Sequence, residues 1–174
     1  EEKKTESKEA EKTPQNNTKP LVEKIELCAP VSGTVKALSD VPDKTFAEKV
    51  LGDGAAIIPE EGKVYAPADG TVANIMDSKH GIMFVTDSGA EVLIHIGLDT
   101  VNLKGKYFKS YVSDGDKVKK GTLLVEFDLE AIKGEGYNLI TPMVVTNISD
   151  YIKAVCMEKE NTAINAGDKF LTVV

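Results

Sequence analysis

Cysteine and histidine are scarce in this chain: there are two of each in 174 residues, and Cys28 and Cys156 stand far apart. No CxxC pair or Cys/His cluster occurs, which leaves out the spacings of thiol redox centres and structural zinc. Isolated thiols of this kind read as unpaired cysteines of a reducing cytoplasm. Long apolar runs are also missing. The longest, Leu139 to Val145, is interrupted by Thr141 and Pro142, well short of the roughly 20 residues of a membrane-spanning helix, so no direct membrane insertion is expected. The opening residues are charged and show no signal-peptide pattern. Positive charge is in deficit, with a formal net charge of −7. That excludes a nucleic-acid surface and adhesion to anionic lipid. Several catalytic signatures are absent too: no GxSxG elbow, Gly-rich phosphate loop, dinucleotide fingerprint, HxH or HExxH.

What is present reads as one domain with a polar leader. Residues 1–20 carry no large apolar side chain, so they cannot bury enough surface to offset their ordering entropy. A flexible tail or interdomain linker is expected there, followed by a domain over residues 21–174. The missing initiator Met fits a domain cut from a longer polypeptide, with a processed or trimmed chain as the plain alternative. From Val22 onward, short runs of Val, Ile, Leu and Thr are punctuated by Gly, Pro and Asp turns. This pattern predicts strands near Val31–Leu38, Ala55–Ile58, Gly70–Met76, Ile82–Thr86, Glu91–Ile96, Thr122–Phe127, Ile140–Ile148 and Lys169–Val173. Helix signals are limited to Asp128–Gly134, with an N-cap and a terminal Gly, and one turn over Phe46–Leu51. The expected fold is all-β, an antiparallel sandwich or flattened barrel with short helical turns. Ala29-Pro-Val-Ser-Gly-Thr-Val35 recurs as Ala66-Pro-Ala-Asp-Gly-Thr-Val72, which points to a duplicated β unit. Gly115-Asp-Lys-Val118 and Gly167-Asp-Lys-Phe170 mark two more turn-then-strand units.

The two histidines flank one hairpin signal, Thr86-Asp-Ser-Gly89. A two-residue loop at Asp87-Ser88 sets His80 directly opposite His95. A loop at Ser88-Gly89 sets them diagonally. Either register puts both rings on one face, with Met83, Val85, Val92 and Ile94 on the other as core, whereas a three-residue loop would separate the rings. Two converging imidazoles suit reversible phosphoryl transfer, one as nucleophile and one stabilising the phosphate. Two ordinary half-buried histidines remain the plain alternative. Zinc is a third reading, with Asp99 as a further ligand or with a partner's carboxylate completing the site.

At these residues the chain resembles the glucose-type enzyme IIA family of the bacterial phosphoenolpyruvate-dependent sugar phosphotransferase system. The likeness runs from about Val22 to Val174. It is carried by Ala29–Gly33, Asp40–Gly54, Ala66–Gly70, His80, Val92–Val101, Gly115-Asp116 and Leu139–Pro142 together. The resemblance implies an antiparallel sandwich built from a duplicated hybrid motif. It implies His95 as the residue phosphorylated on Nε2, His80 as the ring that hydrogen-bonds the phosphoryl group, and Ser78 as the hydroxyl orienting His80. It further implies an apolar rim of Phe46, Leu51, Met76 and Val101, with the carboxylates Asp43 and Asp99 facing basic residues of a partner. The implied partners are the histidine-containing phosphocarrier protein and an enzyme IIB domain, with regulated transporters or kinases as further targets of the same rim. No resident cofactor is implied; a zinc shared by His80, His95 and a partner is the one metal expectation. The implied location is the cytoplasm, free or tethered through a fused permease. Lys44-Thr45 and Leu93 stand where the family often carries larger or more apolar side chains.

Overall fold

Frequent turns cut the chain into short strands, and their polar backbone groups are satisfied by antiparallel neighbours. The computed structural model describes residues 24–174; the expected tail over residues 1–20 lies outside the described residues. The first half contains β1 (Ile25–Cys28), β2 (Gly33–Ala37), helix α1 (Lys44–Ala47), β3 (Asp53–Pro59), β4 (Lys63–Tyr65), β5 (Gly70–Ile75), β6 (Gly81–Thr86) and β7 (Glu91–His95). The second half contains β8 (Phe108–Ser110), β9 (Lys117–Val118), β10 (Leu123–Phe127), α2 (Leu129–Gly134), β11 (Thr141–Val145), β12 (Ala154–Cys156), β13 (Ala163–Ile164) and β14 (Lys169–Val173). An eight-stranded sheet runs β13-β2-β3-β11-β7-β6-β5-β9, and two three-stranded sheets run β1-β14-β12 and β4-β10-β8. This is the expected antiparallel all-β architecture.

The sequence echo is real in space. Cys28 N–H donates to the Pro67 carbonyl, and Tyr65 N–H donates to the Pro30 carbonyl, both at 2.8 Å. The two copies thus bind each other reciprocally, as expected about a local two-fold. Each copy also grips a later segment in the same way: Ala29 exchanges bonds with Gly167 and Asp168, and Ala66 with Gly121 and Thr122. Gly33 and Gly70 open equivalent strands. A Cβ on Gly33 would lie 1.9 Å from the Ile58 carbonyl oxygen, and one on Gly70 would lie 2.2 Å from that of Val85. The backbones approach too closely for any side chain. Gly115 and Gly167 do stand in like turns, each closed by an aspartate three residues after the turn's start. They occupy different places in the repeat, because Gly115 bonds Val72 and Gly167 bonds Ala29.

Several boundaries differ from the sequence reading. The run expected to extend to Ile148 stops at Val145 and gives way to a 3-10 turn at Ile148–Asp150. The single turn expected from Phe46 begins earlier, at Lys44, because Asp43 is its N-cap and accepts from Thr45 N–H at 2.9 Å. The helix at 129–134 matches, with the Asp128 carboxylate capping Ala131 N–H at 3.1 Å.

The eight-stranded sheet is covered on both faces. Val35, Ile57, Ile82, Phe84, Val92, Ile94 and Met143 point into the main core. The opposite face carries a second cluster: Ala56, Leu93 and Val144 from the sheet, with Leu38, Val41, Phe46, Leu98 and Ile140 from surrounding segments. Two-sided burial explains why β7 reads Val-Leu-Ile without alternation. The second cluster is the floor of the histidine site.

Candidate functional site

The β6–β7 hairpin does not have the register read from sequence. Gly81 pairs with His95, Met83 with Leu93 and Val85 with Glu91, so Asp87-Ser88-Gly89 form a three-residue loop. Met83 therefore shares a face with Leu93 and His95, while Val92 and Ile94 share the main-core face with Ile82 and Phe84. The expected grouping of Met83 and Val85 with Val92 and Ile94 is incorrect. By strict alternation His80 would then face away from His95. It does not, because His80 precedes β6 and follows Lys79, which takes a left-handed conformation with φ +59°. Face alternation holds only within an extended strand. The bend swings His80 around the sheet end, and the two rings meet with centroids 4.8 Å apart at 84°, edge to face.

Each ring is held from behind. The His80 carbonyl accepts from Ile96 N–H at 2.7 Å, and the bend is closed by Met76 N–H donating to Gly81 at 3.0 Å and Lys79 N–H to Met76 at 2.7 Å. The Met76 side chain packs directly over Gly81, where a Cβ would lie 2.4 Å from Met76 Sδ and oblige that side chain to move. His95 ends β7, and its Nδ1 pairs with the Gly97 carbonyl at 2.7 Å. A carbonyl only accepts, so Nδ1 carries the proton and Nε2 keeps a free lone pair. Gly97 sits at φ +74°, and a Cβ there would lie 2.8 Å from Thr100 Cγ2 and 3.0 Å from the Asn138 carbonyl oxygen. The turn that aims this carbonyl at His95 thus admits only glycine.

Burial sets the charge state. His80 is 4% exposed; desolvation, helped by the neighbouring His95, pushes its pKa down to about 4. Burial also lowers the His95 pKa, against the opposing pull of the Gly97 carbonyl and of the Asp43 and Asp99 carboxylates. Both rings are neutral near pH 7. His80 Nδ1 is buried without a hydrogen-bond partner, leaving Nε2 as the nitrogen that can serve a ligand.

The other sequence-selected residues fall around this pair. The Phe46 ring lies 5.2 Å from that of His95. Met76 packs against the same cluster, and Leu51 and Val101 are 37% and 49% exposed. Asp43 caps α1, while Asp99 takes a left-handed conformation just beyond β7. Ser78 is the exception, since its hydroxyl does not reach His80 Nδ1. Residues that the sequence reading left without a role are Gly81, Gly97 and Thr100. The left-handed φ of Gly97 and the close packing at both glycines become visible only in the fold. For a metal, the described residues offer no group of three or more His, Cys, Asp or Glu. Zinc at His80 and His95 would need its remaining ligands from outside.

A neutral nucleophilic nitrogen beside a second imidazole, in an apolar surround, is equipped to take up and release a tetrahedral anion. Comparison with known proteins agrees. Residues 25–151 match the family model described as phosphoenolpyruvate-dependent sugar phosphotransferase system, EIIA 1. The glucose-specific EIIA component of Halalkalibacterium halodurans is 46% identical over 146 residues, covering 84% of this chain and 83% of that protein. The beta-glucoside-specific EIIBCA component of Bacillus subtilis is 53% identical over 123 residues, 71% of this chain. The chain spans 20% of the length of that relative, whose name joins EIIA to EIIB and EIIC components. The solved glucose permease IIA of Mycoplasma capricolum superposes with a TM-score of 0.77 at 32% identity, covering 86% of this chain and 96% of that one. No helix among the described residues is long and apolar enough to cross a membrane. With sequence, fold and family model in agreement, the chain belongs to the EIIA 1 family of the phosphoenolpyruvate-dependent sugar phosphotransferase system and is a phosphotransferase component of it.

Proposed function

We propose that His95 Nε2 accepts a phosphoryl group from the histidine-containing phosphocarrier protein and passes it to the cysteine of an enzyme IIB domain during sugar uptake. In the first step the Nε2 lone pair forms a P–N bond as the donor's P–N bond breaks. The proton stays on Nδ1, hydrogen-bonded to the Gly97 carbonyl, throughout, so uptake requires no proton removal from His95. In the second step a cysteine thiolate forms the P–S bond and the imidazole leaves with its lone pair restored. Neutral His80 donates its Nε2–H to the phosphoryl oxygens, a stabilisation strengthened by the dry apolar floor. The exposed Leu51 and Val101 provide a docking rim, with Asp43 and Asp99 facing a basic partner. The chemistry needs no resident cofactor, because the phosphoryl group bonds to the side chain itself. The domain acts in the cytoplasm, free or joined to EIIB and EIIC components, as the names of the EIIBCA relatives join them.

The observation that carries this reading is the hydrogen bond from His95 Nδ1 to Gly97, which frees Nε2 beside a second ring. The test supplies enzyme I, the phosphocarrier protein and labelled phosphoenolpyruvate. An acid-labile, base-stable label is expected, abolished in His95→Ala. In His80→Gln, labelling persists but transfer to an enzyme IIB domain fails. Labelling that survives loss of His95 contradicts the assignment.

A further inference from the structure

Ile96, the residue joining the two histidine supports, has both of its backbone polar groups engaged. Ile96 N–H donates to the His80 carbonyl at 2.7 Å, while the Ile96 carbonyl accepts from Thr100 Oγ1 at 2.5 Å. One residue further on, Leu98 N–H donates to the Asn138 carbonyl at 2.8 Å, and the Gly97 carbonyl accepts a hydrogen bond from His95 Nδ1–H. Thr100 is 0% exposed, so its hydroxyl is a buried polar group placed where it can serve only the protein. Ile96 lies just past the end of β7, where the ladder with β11 has already finished at Ile94. The Thr100 hydroxyl takes the place of a strand neighbour for the Ile96 carbonyl. With its N–H and C=O both bonded, Ile96 is held on either side of its Cα, and the next amide, Gly97–Leu98, has its own C=O and N–H both engaged, an arrangement in which the two bonds strengthen each other.

We propose that Thr100 is a positioning residue for phosphoryl transfer: its hydroxyl fixes the Ile96 segment, which anchors His80 on one side and aims the Gly97 carbonyl at His95 Nδ1 on the other. The proposal rests on the reading of His95 as acceptor. Two consequences differ from those of a residue that only fills space. Without the hydroxyl, the Gly97 carbonyl loosens and the His95 proton redistributes between its ring nitrogens. The His95 titration midpoint also falls, because the Gly97 hydrogen bond is the strongest influence holding it up.

The test compares the full chain with Thr100→Val, Thr100→Ala and Thr100→Ser, each labelled with 15N-histidine. Two-bond proton–nitrogen correlations report the His95 tautomer and midpoint, and transfer to an enzyme IIB domain is timed in parallel. Val and Ala are expected to reduce the Nδ1–H fraction, lower the midpoint and slow transfer about tenfold. Ser keeps the hydroxyl and is expected to retain the wild-type tautomer and midpoint while melting earlier for its lost methyl. Unchanged His95 spectra in folded Val or Ala variants overturn the proposal. If those variants do not fold, Ser decides alone: a tautomer shift there shows that the methyl matters and overturns it, and a wild-type tautomer supports it. The ring spectra do not depend on phosphorylation. Failure of His95 labelling chemistry would therefore show in His95→Ala, and failure of this proposal would show in the tautomer.

Discussion

At His80, burial and the adjacent imidazole act in the same direction, and a ring with an ordinary pKa of 6.5 titrates only at about 4. The unfolded chain therefore binds a proton that the folded protein refuses throughout that interval. By linkage, stability is full above about pH 6.5 and falls as the pH drops towards 4. His80→Gln should remove part of that slope, so urea midpoints at pH 7 and pH 4.5 should differ less in the variant than in the wild type. An equal loss in both would contradict the assignment of the slope to His80. Gly97 gives a second prediction at this scale. Gly97→Ala forces a Cβ into a left-handed turn against Thr100 and Asn138, and is expected to cost about 1–3 kcal/mol in chemical denaturation. His95 and His80 were legible in the sequence because histidine is rare and both sit near one turn. Gly97 was not, because what makes it necessary is its left-handed turn packed between Thr100 and the Asn138 carbonyl, the latter some forty residues away in sequence.

Among elements, α1 matters beyond its four residues because it carries Phe46 to the His95 ring. Asp43→Ala removes the cap and is expected to lower stability by about 1 kcal/mol. It should also lower the His95 titration midpoint, since the Asp43 charge pulls that midpoint up. NMR titration checks both the sign and the residue. The paired glycines of the repeat make a sharper contrast. Gly33→Ala and Gly70→Ala each drive a Cβ into a neighbouring carbonyl, at an expected cost of about 3 kcal/mol or more. Gly121→Ala meets nothing within 4 Å and should cost about 1 kcal/mol for its left-handed backbone alone. Longer strands were readable from their apolar runs, and so was the repeat. The hairpin register was not: Thr86-Asp-Ser-Gly89 accommodates loops of two or three residues, and the observed register sets Ile82 and Phe84 beside Ile94 and Val92 on the core face. Of the two-residue edge strands, β9 (Lys117–Val118) was readable only through the Gly115-Asp-Lys-Val118 turn, and β13 (Ala163–Ile164) has too little pattern to be read at all.

Over the whole molecule, the duplicated units brace one another at Cys28–Pro67 and Tyr65–Pro30, leaving one sheet face for the second apolar cluster and its histidines. The exposed Leu51 and Val101 lie outside the packed core. Leu51→Asp and Val101→Asp are expected to leave the melting temperature nearly unchanged. They should raise the KM for the phosphorylated carrier protein about tenfold, as measured in a reconstituted transfer assay. The central claim concerns one nitrogen atom, and one measurement addresses it directly. The chain, labelled with 15N-histidine and phosphorylated through enzyme I and the carrier protein, is examined for phosphorus–nitrogen coupling. The account predicts a single coupled nitrogen, Nε2 of residue 95, with its Nδ1 still protonated. Coupling at Nδ1, or at either nitrogen of residue 80, would contradict it.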